Sequence, residues 1–131
     1  MATTTLTTEN FDSTVLGSDI VFVDFWAEWC GPCKQFGPVF EAASEKYEDI
    51  TFGKVDTEAQ QALAAAAQIT SIPTLMAFRE GVLVFAQPGA LPAAEFDKLV
   101  VAVKDIDMDD IRRQIAEQQA AEAAASPESP E

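Results

Sequence analysis

Ile20-Val21-Phe22-Val23-Asp24-Phe25-Trp26-Ala27-Glu28-Trp29-Cys30-Gly31-Pro32-Cys33 carries both cysteines of the chain. Its first seven residues are apolar except for Asp24 and rich in Val and Phe, which predicts a strand buried on both faces in the middle of a sheet. The strand is expected to lead into the Cys30-Gly31-Pro32-Cys33 dithiol, and the dithiol to open a helix. A close-spaced cysteine pair in that setting is a place for thiol–disulfide exchange. Asp24 is the anomaly: desolvation on such a strand favours the neutral carboxyl and raises its pKa.

Outward from this stretch, Phe36, Val39, Phe40, Ala43 and Tyr47 recur with helical period from Pro32 to about Glu48, and Pro38 is expected to kink that helix by removing a backbone hydrogen bond. Thr51 to Val55 reads as a second strand and Glu58 to Ala67 as an alanine-rich helix. Leu75 to Arg79 reads as a strand that turns at Glu80-Gly81 into a hairpin with Val82 to Ala86. Pro92 suits the first turn of a helix from Ala93 to about Lys104, with Phe96, Leu99, Val100 and Val103 on one face. On the N-terminal side, Thr7 or Thr8 is expected to cap a short helix over Glu9 to Leu16, stopped by Gly17. This order gives an α/β fold whose mixed central sheet is covered by helices on both faces.

One domain is expected over residues 1–106, followed by an acidic extension over 107–131. Asp105 to Glu131 holds eight acidic residues against Arg112 and Arg113 alone, a composition that marks a solvated segment. Asp107 is expected to cap a short helix that Met108, Ile111 and Ile115 anchor for one or two turns. Ser126-Pro127-Glu128-Ser129-Pro130-Glu131 has nothing to bury and is expected to be disordered.

The net charge of −14, with no histidine, lacks the basic patch that a nucleic acid requires. No segment approaches the roughly 20 apolar residues of a membrane helix, and Met1 to Phe11 has no basic flank or apolar run of signal-peptide type. The expectation is a cytoplasmic protein with neither a nucleic-acid nor a membrane partner. Two cysteines this close cannot form a disulfide framework. Zinc would need further Cys or His ligands, and the chain has none, so neither a metal nor a cofactor is expected.

A cysteine at the start of a helix faces unpaired backbone N–H groups and the positive end of the dipole, which favour thiolate over thiol. Cys30 is therefore the expected nucleophile. Pro32 lacks an N–H that the first turn leaves orphaned in any case, and Gly31 keeps the approach uncluttered. Cys33, one turn along, is expected to lie deeper and to attack the mixed disulfide.

Phe25-Trp26-Ala27-Glu28-Trp29-Cys30-Gly31-Pro32-Cys33, with Ile72-Pro73-Thr74 and Gly89-Ala90 downstream, resembles the thioredoxin family over roughly Thr5 to Lys104. The Gly-Pro pair is similar to that of its reducing members. The resemblance implies a thioredoxin fold and a monomeric, general protein-disulfide reductase that acts on disulfide-containing proteins and is recharged by a thioredoxin reductase. It implies that Asp24 lies behind Cys33 and takes its proton through water, and that Lys54 pairs with this acid. It further implies a cis Ile72–Pro73 bond facing the dithiol, with the Ile72 backbone pairing to an extended substrate. Trp29, Ile72, Gly89 and Ala90 would form an apolar rim that docks partners, and Trp26 would pack beneath the dithiol. Two departures stand out: Pro88 removes a backbone donor beside Gly89, and the acidic extension is longer than the usual end. A second function stays open, a binding module or holdase using the same rim with redox turnover incidental; the intact Cys-Gly-Pro-Cys argues for the first.

Overall fold

The computed structural model describes residues 2–125. The expectation of disorder over Ser126 to Glu131 lies outside the described residues. Five strands, β1 (Thr3–Thr5), β2 (Ile20–Trp26), β3 (Thr51–Asp56), β4 (Thr74–Arg79) and β5 (Val82–Pro88), form one sheet in the order β1-β3-β2-β4-β5. β3 runs parallel to both β1 and β2, whereas β4 runs antiparallel to β2 and to β5. The helices are α1 (Phe11–Gly17), α2 (Gly31–Lys46), α3 (Gln61–Ala66), α4 (Ala93–Lys104) and α5 (Met108–Ala125). This is the thioredoxin fold, a mixed sheet with helices on both faces.

β2 is central, and its alternate residues feed two cores. Phe22 packs with Phe36, Phe40, Phe52 and Phe96 between the sheet and α2 and α4, in edge-to-face, tilted and stacked pairs 5.3–6.3 Å apart. Val21, Val23 and Phe25 point the other way and pack with Val15 of α1, Val55 and Met76. Asp24 and Trp26 share the face of Phe22 by the two-residue period of a strand. Asp24 thus lies on the side covered by α2.

Several local expectations need correction. Asn10, not Thr7 or Thr8, occupies the N-cap position of α1, but its side chain does not cap the helix: its Oδ1 accepts from Thr7 N at 2.6 Å, while Asn10 N and Phe11 N both donate to the Thr7 carbonyl. α3 begins at Gln61 rather than Glu58, because Asp56 Oδ1 accepts from the N–H groups of Glu58 and Ala59 and holds a turn there. β5 runs two residues past Ala86 and includes Pro88, which is tolerated on an edge strand. The Glu80-Gly81 turn is as expected, with both residues at positive φ (52° and 81°), the conformation of a tight two-residue hairpin. α2 continues through Pro38.

The buried guanidinium of Arg79 joins the sheet to the C-terminal elements. Its Nη1 donates to the carbonyls of Val103, Lys104 and Ile106 at 2.8, 3.2 and 3.3 Å, capping the end of α4 where a cation also suits the helix dipole. α5 follows and is longer than the one or two turns expected from its apolar stripe. Met108 is buried and Ile111 and Ile115 are half-buried, but the helix extends through 18 residues, its later turns exposed. Alanine, glutamine and glutamate sustain those turns by propensity and not by packing.

Candidate active site

The site forms where β2 ends and α2 begins. Cys30 is the N-cap of α2 in an extended conformation, and its Sγ accepts a hydrogen bond from Cys33 N at 3.1 Å. Pro32 occupies the first turn, where no N–H is missed. Cys30 and Cys33 are joined in a disulfide with Cα atoms 5.2 Å apart. Ala27, Trp26 and Ile72 pack around the pair. Both cysteines are almost fully covered, 3% and 4% exposed, so depth does not distinguish them as the sequence had suggested. What distinguishes them is orientation. Cys30 Sγ lies 3.7 Å from the Ile72 carbonyl oxygen, beside the cis Ile72–Pro73 bond. Cys33 instead walls a cavity of about 140 Å³ together with Trp26, Ala27, Lys34, Gly37 and Lys54.

Ile72–Pro73 is a cis peptide bond, and Pro73 is buried. β4 delivers it to the dithiol because that strand is antiparallel to β2, with Phe25 opposite Thr74 in register. Gly89 N donates to the Pro73 carbonyl at 2.8 Å, which brings Gly89, at φ 111°, and the half-buried Ala90 to the same end of the sheet. Pro88 pairs with Thr74 immediately before them. Trp29 is 68% exposed, and it lines a second depression of about 300 Å³ with Ile72, Thr57 and Ile69. Its indole N–H donates to Glu58, a residue that sequence reasoning had not singled out.

Asp24 is 1% exposed, and neither carboxylate oxygen has a hydrogen-bond partner among the described residues. Burial pushes its pKa up to about 7; the nearby Lys54 cation lowers it and Glu41 raises it. Lys54 stands opposite Asp24 in the β2–β3 register, yet its ion pair is with Glu41, Nζ to Oε2 at 3.8 Å, and its ammonium lies 5.1 Å from the centre of the Trp26 ring. Glu41 was the second residue missed. In sequence it is one more acid on an amphipathic helix, and only the fold brings it to the lysine. Among the described residues no group of three or more acidic, Cys or His side chains is arranged to hold a metal ion, and no helix is long and apolar enough to cross a membrane.

The arrangement suits chemistry at sulfur: a close dithiol, one sulfur at a helix N-terminus, and a buried carboxyl that titrates near neutrality. Comparison with known proteins agrees. The family model for Thioredoxin matches residues 2–105. "Putative thioredoxin 2" of Streptomyces coelicolor is 60% identical over 119 residues, covering 91% of this chain and 89% of that protein. Thioredoxin-1 of Saccharomyces cerevisiae is 39% identical over 94 residues, 72% of this chain and 91% of its own length. Among solved structures, Plasmodium falciparum thioredoxin aligns with a TM-score of 0.70 at 34% identity, covering 76% of this chain and 97% of that one.

Proposed function

This chain belongs to the thioredoxin family and is a protein thiol–disulfide reductase, and from that premise we propose that Cys30 attacks the substrate, Cys33 resolves the intermediate and Asp24 handles the proton. The observation that carries the reading is the position of Cys30 at the N-cap of α2, with its sulfur accepting from Cys33 N. In the reduced protein the same N–H and the helix dipole stabilise a Cys30 thiolate.

That thiolate attacks one sulfur of a substrate disulfide. The S–S bond breaks, the other substrate sulfur leaves as a thiolate, and Cys30 is left in a mixed disulfide. Cys33 then gives its proton to Asp24 through water in the adjoining cavity and attacks Cys30 Sγ. This releases the second substrate sulfur and leaves the Cys30–Cys33 disulfide. Two electrons have passed to the substrate, and a thioredoxin reductase restores the dithiol. A carboxyl with a pKa near 7 suits the transfer, since it is partly ionised and still basic enough to accept a proton at neutral pH.

Trp29, Ile72, Pro73, Gly89 and Ala90 form the docking rim in this reading, with the Ile72 backbone pairing to an extended segment around the substrate disulfide. Gly31 and Pro32 shape the approach, and Trp26 and Lys54 wall the cavity behind Cys33. The protein works as a monomer in the cytoplasm, the compartment in which thiols are kept reduced. Residues 107–131 form an appendage to the catalytic domain of residues 1–106.

Insulin reduction, measured once with dithiothreitol and once with NADPH and a thioredoxin reductase, tests the reading. Turnover in both is expected. Turnover with dithiothreitol alone would overturn the assignment of the electron donor, and turnover in neither would overturn the proposed mechanism.

A further inference from the structure

Glu41 has no part in the steps above, yet it sits beside them. It lies eight residues beyond Cys33 on α2, a little over two turns, and therefore on a similar face of the helix. Its Oε2 accepts from Thr3 Oγ1 at 2.8 Å and stands 3.8 Å from Lys54 Nζ, while its buried Oε1 has no partner among the described residues. Lys54 in turn walls the cavity behind Cys33 and is opposite Asp24 in register. Groups from β1, β3 and α2 thus converge beside an acid of β2 whose two oxygens have no donor among the described residues.

We propose that Glu41 is a positioning residue that fixes the Lys54 ammonium at the cavity wall and so keeps Asp24 a ready proton acceptor; this rests on the reading of Asp24 as the group that takes the Cys33 proton. The physical reason is competition for one cation. Lys54 favours ionised Asp24, whereas Glu41 holds that cation and offsets its field with a negative charge of its own. Without the Glu41 charge the ammonium is free to turn to the unpartnered oxygens of Asp24, which would then ionise at lower pH and be a weaker base. The other charged groups around the cavity are Glu28 and Lys34, both on exposed residues, and Cys33 itself. β4 places the apolar Leu75 opposite Asp24, and β1 contributes the neutral Thr3.

Glu41→Gln tests this with little change of shape, since the amide oxygen can still accept from Thr3. The carboxyl carbon of Asp24 is followed by NMR through a pH titration of the reduced protein, and the pH profile of insulin reduction is measured in parallel. The Asp24 midpoint is expected to fall by about one pH unit, and the profile to move with it. In a Lys54→Met background the same substitution is expected to move the midpoint by less than half as much, because the lysine transmits most of the effect. An unmoved midpoint, or an equal shift in both backgrounds, would overturn the inference. A midpoint that moves while the turnover profile stays put would uphold the hold of Glu41 on Asp24 through Lys54 and overturn the role of Asp24 as acceptor.

Discussion

The indole N–H of Trp29 donates to Glu58 Oε2 at 3.2 Å, so a ring that is mostly exposed is held from the segment that follows β3. A tryptophan kept rigid at a surface is the kind of group that dominates docking energetics. Trp29→Ala is expected to raise KM for insulin about tenfold, equivalent to about 1.4 kcal/mol, with kcat nearly unchanged. Glu58→Gln keeps the contact area and weakens only the tether, so it should raise KM by less than about threefold. Steady-state kinetics over a range of insulin concentrations checks both.

The two cysteines should divide their work by orientation. Cys30→Ser is expected to abolish reduction, and Cys33→Ser to accumulate mixed disulfides that survive gel electrophoresis without reductant. Alkylation of the reduced protein at mildly acidic pH, followed by peptide mapping, should label Cys30 first. Preferential labelling of Cys33 would reverse the roles.

Asp24 makes stability depend on pH in a definite direction. Its folded pKa, about 7, lies above the ordinary value of 3.8, so between these pH values the folded state holds a proton that the unfolded state has released. Stability therefore falls as pH rises from about 4 to about 7 and stays low above that range. Asp24→Asn removes this dependence. Its gain over the wild type should be small near pH 4 and grow to as much as about 4 kcal/mol by pH 8, as read from denaturant unfolding across pH. A gain that shrinks with rising pH would contradict the burial argument.

The extension should matter for stability only through its first turns. Met108 is buried, and Arg112 bonds to Glu80 and Asp109, whereas the turns after Ile115 are exposed. Truncation after Ile115 is expected to leave both melting temperature and turnover unchanged. Deleting Asp107 to Glu131 strips the Met108 contact and should cost about 2 kcal/mol. It should still leave insulin reduction within about twofold, because the segment carries no thiol. Thermal melts and the insulin assay on the two truncations check this.

The elements with strong periodicity or sharp punctuation were legible in the chain. β2 announced itself by its apolar run, α4 by its spacing, and the hairpin by Glu80-Gly81. β1 was not legible, because Thr3, Thr4 and Thr5 show no alternation of apolar and polar residues; the strand exists by pairing with β3, a contact some fifty residues away. At the site, the dithiol and the buried acid could be read directly, since a thiol pair and a carboxyl on an apolar strand are chemically conspicuous. The cis bond at Pro73 was implied only by family resemblance. Glu41 and Glu58 were invisible for a shared reason: each is an acid among many in an acidic chain, and its significance is a partner that only the folded chain supplies, Lys54 for one and Trp29 for the other.

The antiparallel course of β4 separates two poles of the molecule. Thr74 begins the strand beside the dithiol, and Arg79 ends it beneath the junction of α4 and α5, about 17 Å away at the usual rise of a strand. The C-terminal helix therefore departs from the pole remote from the reacting sulfurs. A fluorophore or affinity handle attached to Arg113, exposed in the first turns of that helix beside the Arg112–Glu80 bond, would therefore sit at the pole remote from the Cys30–Cys33 pair.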